Sequence, residues 1–276
     1  MKFYKYMNLD TLYKVLRAEG VYFLLNSPSC YNDPFDCTGQ VVGIPSTTFT
    51  EHYLHGKPQL IDDIRTNKET RAAIVARDFA DLMQSRNGFD DLLRVFCMAN
   101  LTLEDDETSP LMWSHYADGG KGVRLTIDLD GTNINPQPIR YSFSPPILDL
   151  SSPRFFNGDE PSIEKFCLEC VFTKSLAWSY EREWRIIFPI TDLPMLQHLG
   201  IKITIENDKY FWNPRRSVIT RIDFGQQVSE NDVVTTVTQL SRDGYKNLDV
   251  RVARKNGTYR YMYECHHLTS GSNNPE

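Results

Sequence analysis

The order in which the apolar residues change their spacing constrains the fold more than any other feature of this chain. Residues 3–7 alternate around aromatic side chains, which predicts a short strand. Apolar residues then recur at helical spacing from Leu9 to Leu16, and Gly20 is placed to end that helix. The chain therefore opens with a strand, a helix and a glycine turn, before a second predicted strand at residues 21–25.

Strand patterns dominate the second half of the chain. They lie at residues 139–143, 184–189, 200–205, 219–224, 248–254 and 259–264. The last two are joined through Asn256-Gly257, the strongest hairpin signal in the sequence. Because no internal repeat and no linker interrupts these elements, the sequence predicts a single α+β domain. Its predicted bounds are residues 1–268, with a helical insertion at about 55–90 and a flexible tail at 269–276.

Composition and charge exclude several classes of protein. The 276 residues include 41% apolar and 24% charged side chains, which is typical of a globular protein. A net charge of −6 gives no general attraction to nucleic acid, so a DNA-coating role is not expected. No run approaches the roughly 18 apolar residues of a membrane span, and residues 1–6 lack the apolar core of a signal peptide. The sequence therefore predicts a cytoplasmic protein whose six cysteines are free thiols.

Aromatic, charged and small residues concentrate in four short motifs. The motifs are Tyr4-Lys5-Tyr6, Asn32-Asp33-Pro34-Phe35-Asp36, Met112-Trp113-Ser114-His115-Tyr116-Ala117 with Lys121-Gly122, and Trp178-Ser179-Tyr180-Glu181-Arg182-Glu183-Trp184-Arg185. In this order they resemble a bacterial family, the domain-of-unknown-function 2971 family, over most of the chain. That family name specifies no reaction, so a reaction has to be inferred from the arrangement of the residues.

The order of elements also resembles the ADP-ribosyltransferase architecture. In such proteins a first strand holds a His or Arg against NAD, a helix ends in a glycine, and a late strand opens with the pattern [EQ]-x-E. Here Glu181-Arg182-Glu183 precedes an apolar strand, and Lys5 stands where the His or Arg is usual. The resemblance implies a mixed split β-sheet with flanking and inserted helices, NAD as a substrate, and no metal ion.

The resemblance also assigns roles to individual residues. Cleavage of the glycosidic bond of NAD leaves an oxocarbenium-like ribose, which a fixed carboxylate stabilises while it accepts a hydrogen bond from the 2′-hydroxyl. Glu183 is the predicted carboxylate, and Glu181 is expected to orient or deprotonate the acceptor. His115 can titrate near neutrality and is a candidate base or ribose contact. The predicted NAD-binding residues are Tyr4, Lys5, Tyr6, Asn32, Asp33, Phe35, Trp113, Tyr116, Lys121 and Arg185.

Three of these predictions rest on local chemistry. The Asn32–Phe35 loop is expected to form a rigid wall around a ligand or to pack Phe35 into the core. Gly122 after Lys121 would let the backbone approach a pyrophosphate. Arg185 is expected to hold Glu183 or Asp33, or to form a surface salt bridge.

Other functions stay open at this level. The Glu181–Arg185 block could be structural, with its charges paired across a sheet. Asp33, Asp36, Glu181 and Glu183 could hold Mg²⁺ in a metal-dependent nuclease. The chain could also be a nucleotide-binding module without catalysis. The leading hypothesis is an NAD-dependent ADP-ribosyltransferase that acts as an intracellular toxin or phage-defence effector on an unknown protein or nucleic acid, with an antitoxin as a further partner.

Overall fold

The computed structural model describes residues 1–60, 70–84, 87–101, 109–152, 163–255, 257 and 261–265. Within these ranges the helices are α1 (Leu9–Val15), α2 (Thr47–Gly56), α3 (Arg71–Gln84), α4 (Ser109–Tyr116), α5 (Ile163–Val171), α6 (Leu193–His198) and α7 (Glu230–Arg242). The strands are β1 (Lys2–Met7), β2 (Leu16–Arg17), β3 (Gly20–Val21), β4 (Phe23–Leu25), β5 (Gln40–Val42), β6 (Leu93–Ala99), β7 (Val123–Asp128), β8 (Gln137–Pro138), β9 (Arg140–Ser142), β10 (Ile147–Asp149), β11 (Thr173–Ser175), β12 (Glu183–Pro189), β13 (Ile203–Glu206), β14 (Lys209–Trp212), β15 (Ile219–Phe224), β16 (Asp249–Lys255) and β17 (Tyr261–Cys265).

One large sheet organises the molecule. In the described part of the chain it has eight strands in the order β17-β16-β15-β7-β1-β6-β12-β8. Neighbours are antiparallel except for β15 and β16, which run parallel, so the sheet is mixed. Helices pack on both of its faces, and the predicted α+β class is confirmed.

The sheet is almost divided between β1 and β6. Strand β1 pairs with β7 at every position from Lys2 to Met7, but it pairs with β6 only where Tyr4 faces Ala99. Beyond that pair the two strands separate, and the Lys5 ammonium reaches across to donate a hydrogen bond of 2.7 Å to the Cys97 carbonyl. The expected split of the sheet therefore lies beside the first strand.

Alternation along the strands sends apolar and polar residues to opposite faces. In β7 the residues Val123, Leu125 and Ile127 enter the main core, which also takes the buried faces of α1 and α7. Arg124 and Thr126 point to the other face, on which α4 packs. This second face carries the charged residues that form the candidate site.

Several predicted elements differ in detail from the structure. Helix α1 ends before Gly20, which lies in the short β2–β3 hairpin at φ 151°, and only Phe23–Leu25 of the predicted second strand form β4. Helix α3 and part of α2 fall in the predicted insertion at 55–90, but residues 61–69 and 85–86 lie outside the described residues. So do Asn256 of the predicted turn and the whole predicted tail. All six cysteines are free thiols, as predicted.

Candidate active site in the split of the sheet

A cavity of about 220 Å³ opens where β1 and β6 separate. Its walls come from these two strands, the loop after β4, α4, and the region from β11 to the start of β12. Seven of the predicted site residues line the cavity: Tyr4, Lys5, Tyr6, Asn32, Tyr116, Glu181 and Glu183. The site prediction thus converges on one place from four separate parts of the chain.

The connection between β11 and β12 positions the two glutamates. A 3₁₀ helix covers Leu176–Glu181, Ser175 caps its start, and Arg182 adopts a left-handed backbone with φ 47° and ψ 46°. Strand β12 then begins at Glu183, opposite Ala99 of β6. Because Glu181 lies two residues before Glu183, an extended segment would place both side chains on one face. In the structure it is instead this turn that brings both carboxylates to one ammonium group.

Five charged side chains form a buried cluster, which we call the carboxylate network: Asp36, Lys174, Glu181, Glu183 and Arg185. Lys174 Nζ lies 2.6 Å from Glu181 Oε2, 2.9 Å from Glu183 Oε2 and 3.6 Å from Asp36 Oδ2. Arg185 Nε lies 2.6 Å from Glu183 Oε1, and its Nη2 lies 2.7 Å from Asp36 Oδ2. None of these side chains is more than 6% exposed. Three carboxylates share two cations, so the network carries one excess negative charge when all five groups are ionised.

The pKa values of the two glutamates are shifted in opposite directions. Burial, together with the charge of Glu183, raises the pKa of Glu181 to about 7 against the attraction of Lys174. Burial acts in the same direction on Glu183, but the charges of Arg185 and Lys174 hold the pKa of this carboxyl well below its usual range. Glu183 is therefore ionised at every physiological pH, whereas Glu181 gains and loses its proton near neutrality.

Each glutamate has a hydrogen bond to a tyrosine hydroxyl. The Tyr116 hydroxyl donates a hydrogen bond to Glu181 Oε1. The Tyr141 hydroxyl accepts a hydrogen bond of 2.8 Å from the backbone N–H of Glu183. Tyr141 lies on β9 beside Lys174 on β11. Neither Tyr141 nor Lys174 was a predicted site residue, because a lone tyrosine and a lone lysine carry no motif; the nearest signal was the position of Lys174 seven residues before Glu181.

Arg185 holds Glu183, as predicted, but it is not placed as the predicted NAD-binding residue. Besides Glu183 and Asp36, its guanidinium donates a hydrogen bond of 2.6 Å to the Val171 carbonyl. It is completely buried and does not line the cavity. Its carboxylate partner in the Asn32–Asp36 loop is Asp36, where the sequence prediction had named Asp33 as an alternative to Glu183.

The remaining predicted residues lie outside the cavity lining. Asp33 is buried and accepts a hydrogen bond of 2.9 Å from the N–H of Phe35, whose own side chain is 73% exposed. Phe35 thus neither packs into the core nor forms a cavity wall. Trp113 is buried and packs edge-to-face against Tyr6, with 5.2 Å between the ring centres.

His115 and Lys121 are both exposed. His115 Nδ1 lies 2.8 Å from the Tyr180 hydroxyl, one residue away from Glu181 along the chain. Gly122 packs against backbone: a Cβ atom there would lie 2.2 Å from the Met7 carbonyl oxygen. The glycine is therefore needed for the packing of β7 on β1, and neither Lys121 nor Gly122 lines the cavity.

The metal-site hypothesis can be compared with the donor geometry. Within the described residues, no group of three or more His, Cys, Asp or Glu side chains is arranged to hold a metal ion. Asp36, Glu181 and Glu183 instead surround Lys174 and Arg185. A Mg²⁺ ion would have to compete with these two cations for the same oxygens.

The fold and the site together define an α+β protein with a polar cavity in a split sheet. A family model described as "Protein of unknown function (DUF2971)" matches residues 112–186. The match supports the resemblance to the domain-of-unknown-function 2971 family and contains most of the carboxylate network, including both glutamates. No curated protein and no solved structure matches the chain. None of the helices in the described ranges combines the length and apolar content that a bilayer crossing needs.

Proposed function

We propose that this chain is an NAD-dependent ADP-ribosyltransferase that cleaves the glycosidic bond between nicotinamide and ribose. The proposal rests on one observation: two carboxyls in one cavity, both within 3 Å of Lys174 Nζ, have pKa values driven in opposite directions. Such a pair divides the work of a reaction between a permanent anion and a group that exchanges a proton near pH 7.

Glu183 suits the bond-breaking step. When the bond breaks, its electron pair goes to the ring nitrogen, and nicotinamide leaves as a neutral molecule that needs no acid. The positive charge passes to the ribose, where an ionised and rigidly held carboxylate stabilises it. Each oxygen of Glu183 already contacts one cation, and a carboxylate oxygen has a second lone pair for the ribose 2′-hydroxyl. Arg185 and Lys174 act as positioning residues because they fix the plane of this carboxylate.

Glu181 suits the transfer step. The acceptor nucleophile attacks the ribose carbon, and its proton has to leave as the new bond forms. A carboxylate with a pKa of about 7 is a base of suitable strength near neutral pH. Tyr116 and Lys174 hold its two oxygens, so Glu181 can receive the proton without a change of rotamer.

The size of the cavity fits part of a dinucleotide. Its volume of about 220 Å³ is below the roughly 300–1,000 Å³ of pockets that bury a whole drug-sized ligand. The cavity therefore suits the nicotinamide and its ribose, and its lining includes the aromatic side chains of Tyr4, Tyr31 and Tyr116 as packing partners for the planar base. The diphosphate and adenosine would extend beyond it.

A test of the proposal measures nicotinamide released from NAD and label transferred to lysate proteins and nucleic acids. We expect Glu183→Gln to lower the release rate by about 10²-fold or more, since it removes the charge that stabilises the oxocarbenium ion. Glu164→Gln, an exposed carboxylate at the start of α5, is the matched control and should retain the wild-type rate. Undiminished release by a folded Glu183→Gln protein would contradict the assignment.

The pH profile tests Glu181 separately. Transfer should increase as the pH rises through about 7, because Glu181 must lose its proton to act as the base. Glu181→Gln should remove this rise and slow transfer by about 10²- to 10⁴-fold. A variant that keeps the wild-type pH profile would assign the base to another residue.

The same assays separate the alternative functions. EDTA should leave nicotinamide release unchanged if no metal takes part, and it would abolish the activity of a Mg²⁺-dependent nuclease. A nucleotide-binding module would bind NAD without releasing nicotinamide. We extend the proposal to an intracellular toxin or phage-defence effector with a macromolecular acceptor and an antitoxin. In that case, expression of the wild type should arrest bacterial growth and expression of Glu183→Gln should not.

A further inference from the structure

A second charged group lies beside the cavity on the same face of the sheet. We call it the arginine strip: Arg124 on β7 and Arg221 and Asp223 on β15. Strand register places Thr126 directly between Tyr4 of β1 and Arg221, so the strip begins where the cavity wall ends. The Tyr4 ring lines the cavity and lies 4.8 Å from the Arg124 guanidinium carbon and 6.0 Å from that of Arg221.

The arginine strip has the opposite charge balance to the carboxylate network. Arg124 Nε lies 2.9 Å from Asp223 Oδ2, and Arg221 Nε lies 3.1 Å from Asp223 Oδ1. Two guanidiniums therefore share one carboxylate. On β16, Asp249 lies in register with Arg221 and Arg251 with Asp223, but Asp249 and Arg251 pair with each other at 2.7 Å, so one excess positive charge remains. Arg124 and Asp223 are buried, whereas the Arg221 side chain is 21% exposed, so the excess charge is accessible at Arg221.

The other cations near the cavity are already engaged. Lys174 is held between carboxylates of the network, and Lys5 Nζ donates to the Cys97 carbonyl and lies 5.0 Å from the centre of the Phe96 ring. A strongly anionic group therefore gains more from the strip than from the cavity.

An unsatisfied hydroxyl marks the same place. Thr126 is 2% exposed, and its Oγ1 has no hydrogen-bond partner among the described residues. Buried hydroxyl groups are normally hydrogen-bonded. An anionic oxygen bound by Arg221 over the Tyr4–Thr126 pair would give this hydroxyl an acceptor.

We propose that the arginine strip, through Arg221, binds the diphosphate of the dinucleotide whose nicotinamide ribose occupies the cavity. This inference deepens the proposed function and rests on it for the orientation of the ligand. In a dinucleotide the diphosphate follows the ribose by one methylene and one ester oxygen. Neighbouring strands are about 4.8 Å apart, so a ribose beside β1 places the diphosphate over β7 or β15. Those are the strands of the arginine strip.

The test measures binding of ADP, adenosine and nicotinamide to the full chain by calorimetry. We expect Arg221→Gln to weaken ADP binding by about 10- to 100-fold and to leave adenosine and nicotinamide unchanged, since a charged hydrogen bond to phosphate is lost. Arg221→Lys should retain part of the affinity because it keeps the charge but not the two-pronged geometry. Arg254→Gln, on β16 with its side chain on the opposite face, is the matched control and should bind ADP like the wild type.

The outcomes separate this inference from the proposed function. In Arg221→Gln, Asp223 keeps its partner Arg124, so the variant should melt within a few degrees of the wild type. ADP affinity that is equal in wild type and Arg221→Gln, or absent in the wild type, would overturn the inference. A wild type that binds ADP through Arg221 but releases no nicotinamide would retain the diphosphate site and reject the glycosidic reaction. If Arg221→Gln releases nicotinamide with an unchanged KM for NAD, the glycosidic reaction is retained and the diphosphate site is rejected.

Discussion

The carboxylate network and the arginine strip are two buried ionic clusters on one face of one sheet, and they are assembled differently. The network takes its five residues from the loop after β4, β11, the 3₁₀ turn and β12. The strip takes Arg124 and Asp223 from directly paired positions of β7 and β15, and its third member is two residues from Asp223 on the same strand. The first cluster depends on tertiary structure and the second on strand register.

Their charge balance differs as well. Three carboxylates share two cations in the network, whereas two arginines share one aspartate in the strip. Burying an unbalanced set of charges is costly, and a bound group of the opposite sign offsets part of that cost. Each cluster therefore suits a different part of a ligand: the network a developing cation, and the strip an anion.

The largest expected effect is a difference in the free energy of unfolding between a variant of the carboxylate network and a variant of the arginine strip. Arg185→Met removes the contacts to Glu183, Asp36 and the Val171 carbonyl together, and it should lower the free energy of unfolding by about 3–5 kcal/mol. Arg124→Met should cost less, because Asp223 keeps Arg221 as a partner. Urea unfolding of both variants measures the difference. Equal losses would show that the network is no more interdependent than the strip.

A smaller effect concerns the pH dependence of stability. Glu181 has a pKa of about 7 in the folded protein and an ordinary value of 4.5, so the unfolded chain releases this proton first as the pH rises. Its contribution to the free energy of unfolding therefore falls between pH 4.5 and 7, by up to about 3 kcal/mol. Glu181→Gln should remove this fall, and Glu164→Gln should keep it.

Glu183 makes the free energy of unfolding depend on pH in the opposite direction to Glu181. Its pKa is depressed in the folded state, so its stabilising contribution is present above pH 4.5 and is lost as the pH falls below that value. Unfolding curves recorded from pH 4 to 8 should therefore show a loss at the acid end in Glu181→Gln and the wild type alike. A Glu181→Gln protein that still loses stability between pH 4.5 and 7 would refute the assignment of that window to Glu181.

The smallest expected effect lies outside both clusters. Phe35→Ser should change the free energy of unfolding by less than about 0.5 kcal/mol and leave nicotinamide release unchanged, because the side chain is 73% exposed and does not line the cavity. A large loss of activity would instead show that the Asn32–Asp36 loop closes over the ligand. Thermal melting and the release assay measure the two quantities.

The sequence alone determined the elements whose residues repeat with a clear period. Strand β15 was predicted with its exact bounds, and β1, α1 and β12 were predicted to within a few residues. The face of each strand followed from the same alternation. The motif positions of Tyr4, Asn32, Tyr116, Glu181 and Glu183 also predicted cavity residues, because these side chains stand at element ends or on one face of an element.

Only the tertiary structure decided which partners those residues have. Lys174 lies 138 positions from Asp36, and Tyr141 lies 42 positions from the Glu183 N–H that it accepts from, so no local pattern links them. The same holds for the proton affinities of the two glutamates, which differ because Arg185 contacts one and not the other. The periodic spacing of apolar residues specifies the face of an element on which a side chain lies. Burial and contacts with residues distant along the chain determine whether an ionisable side chain is charged.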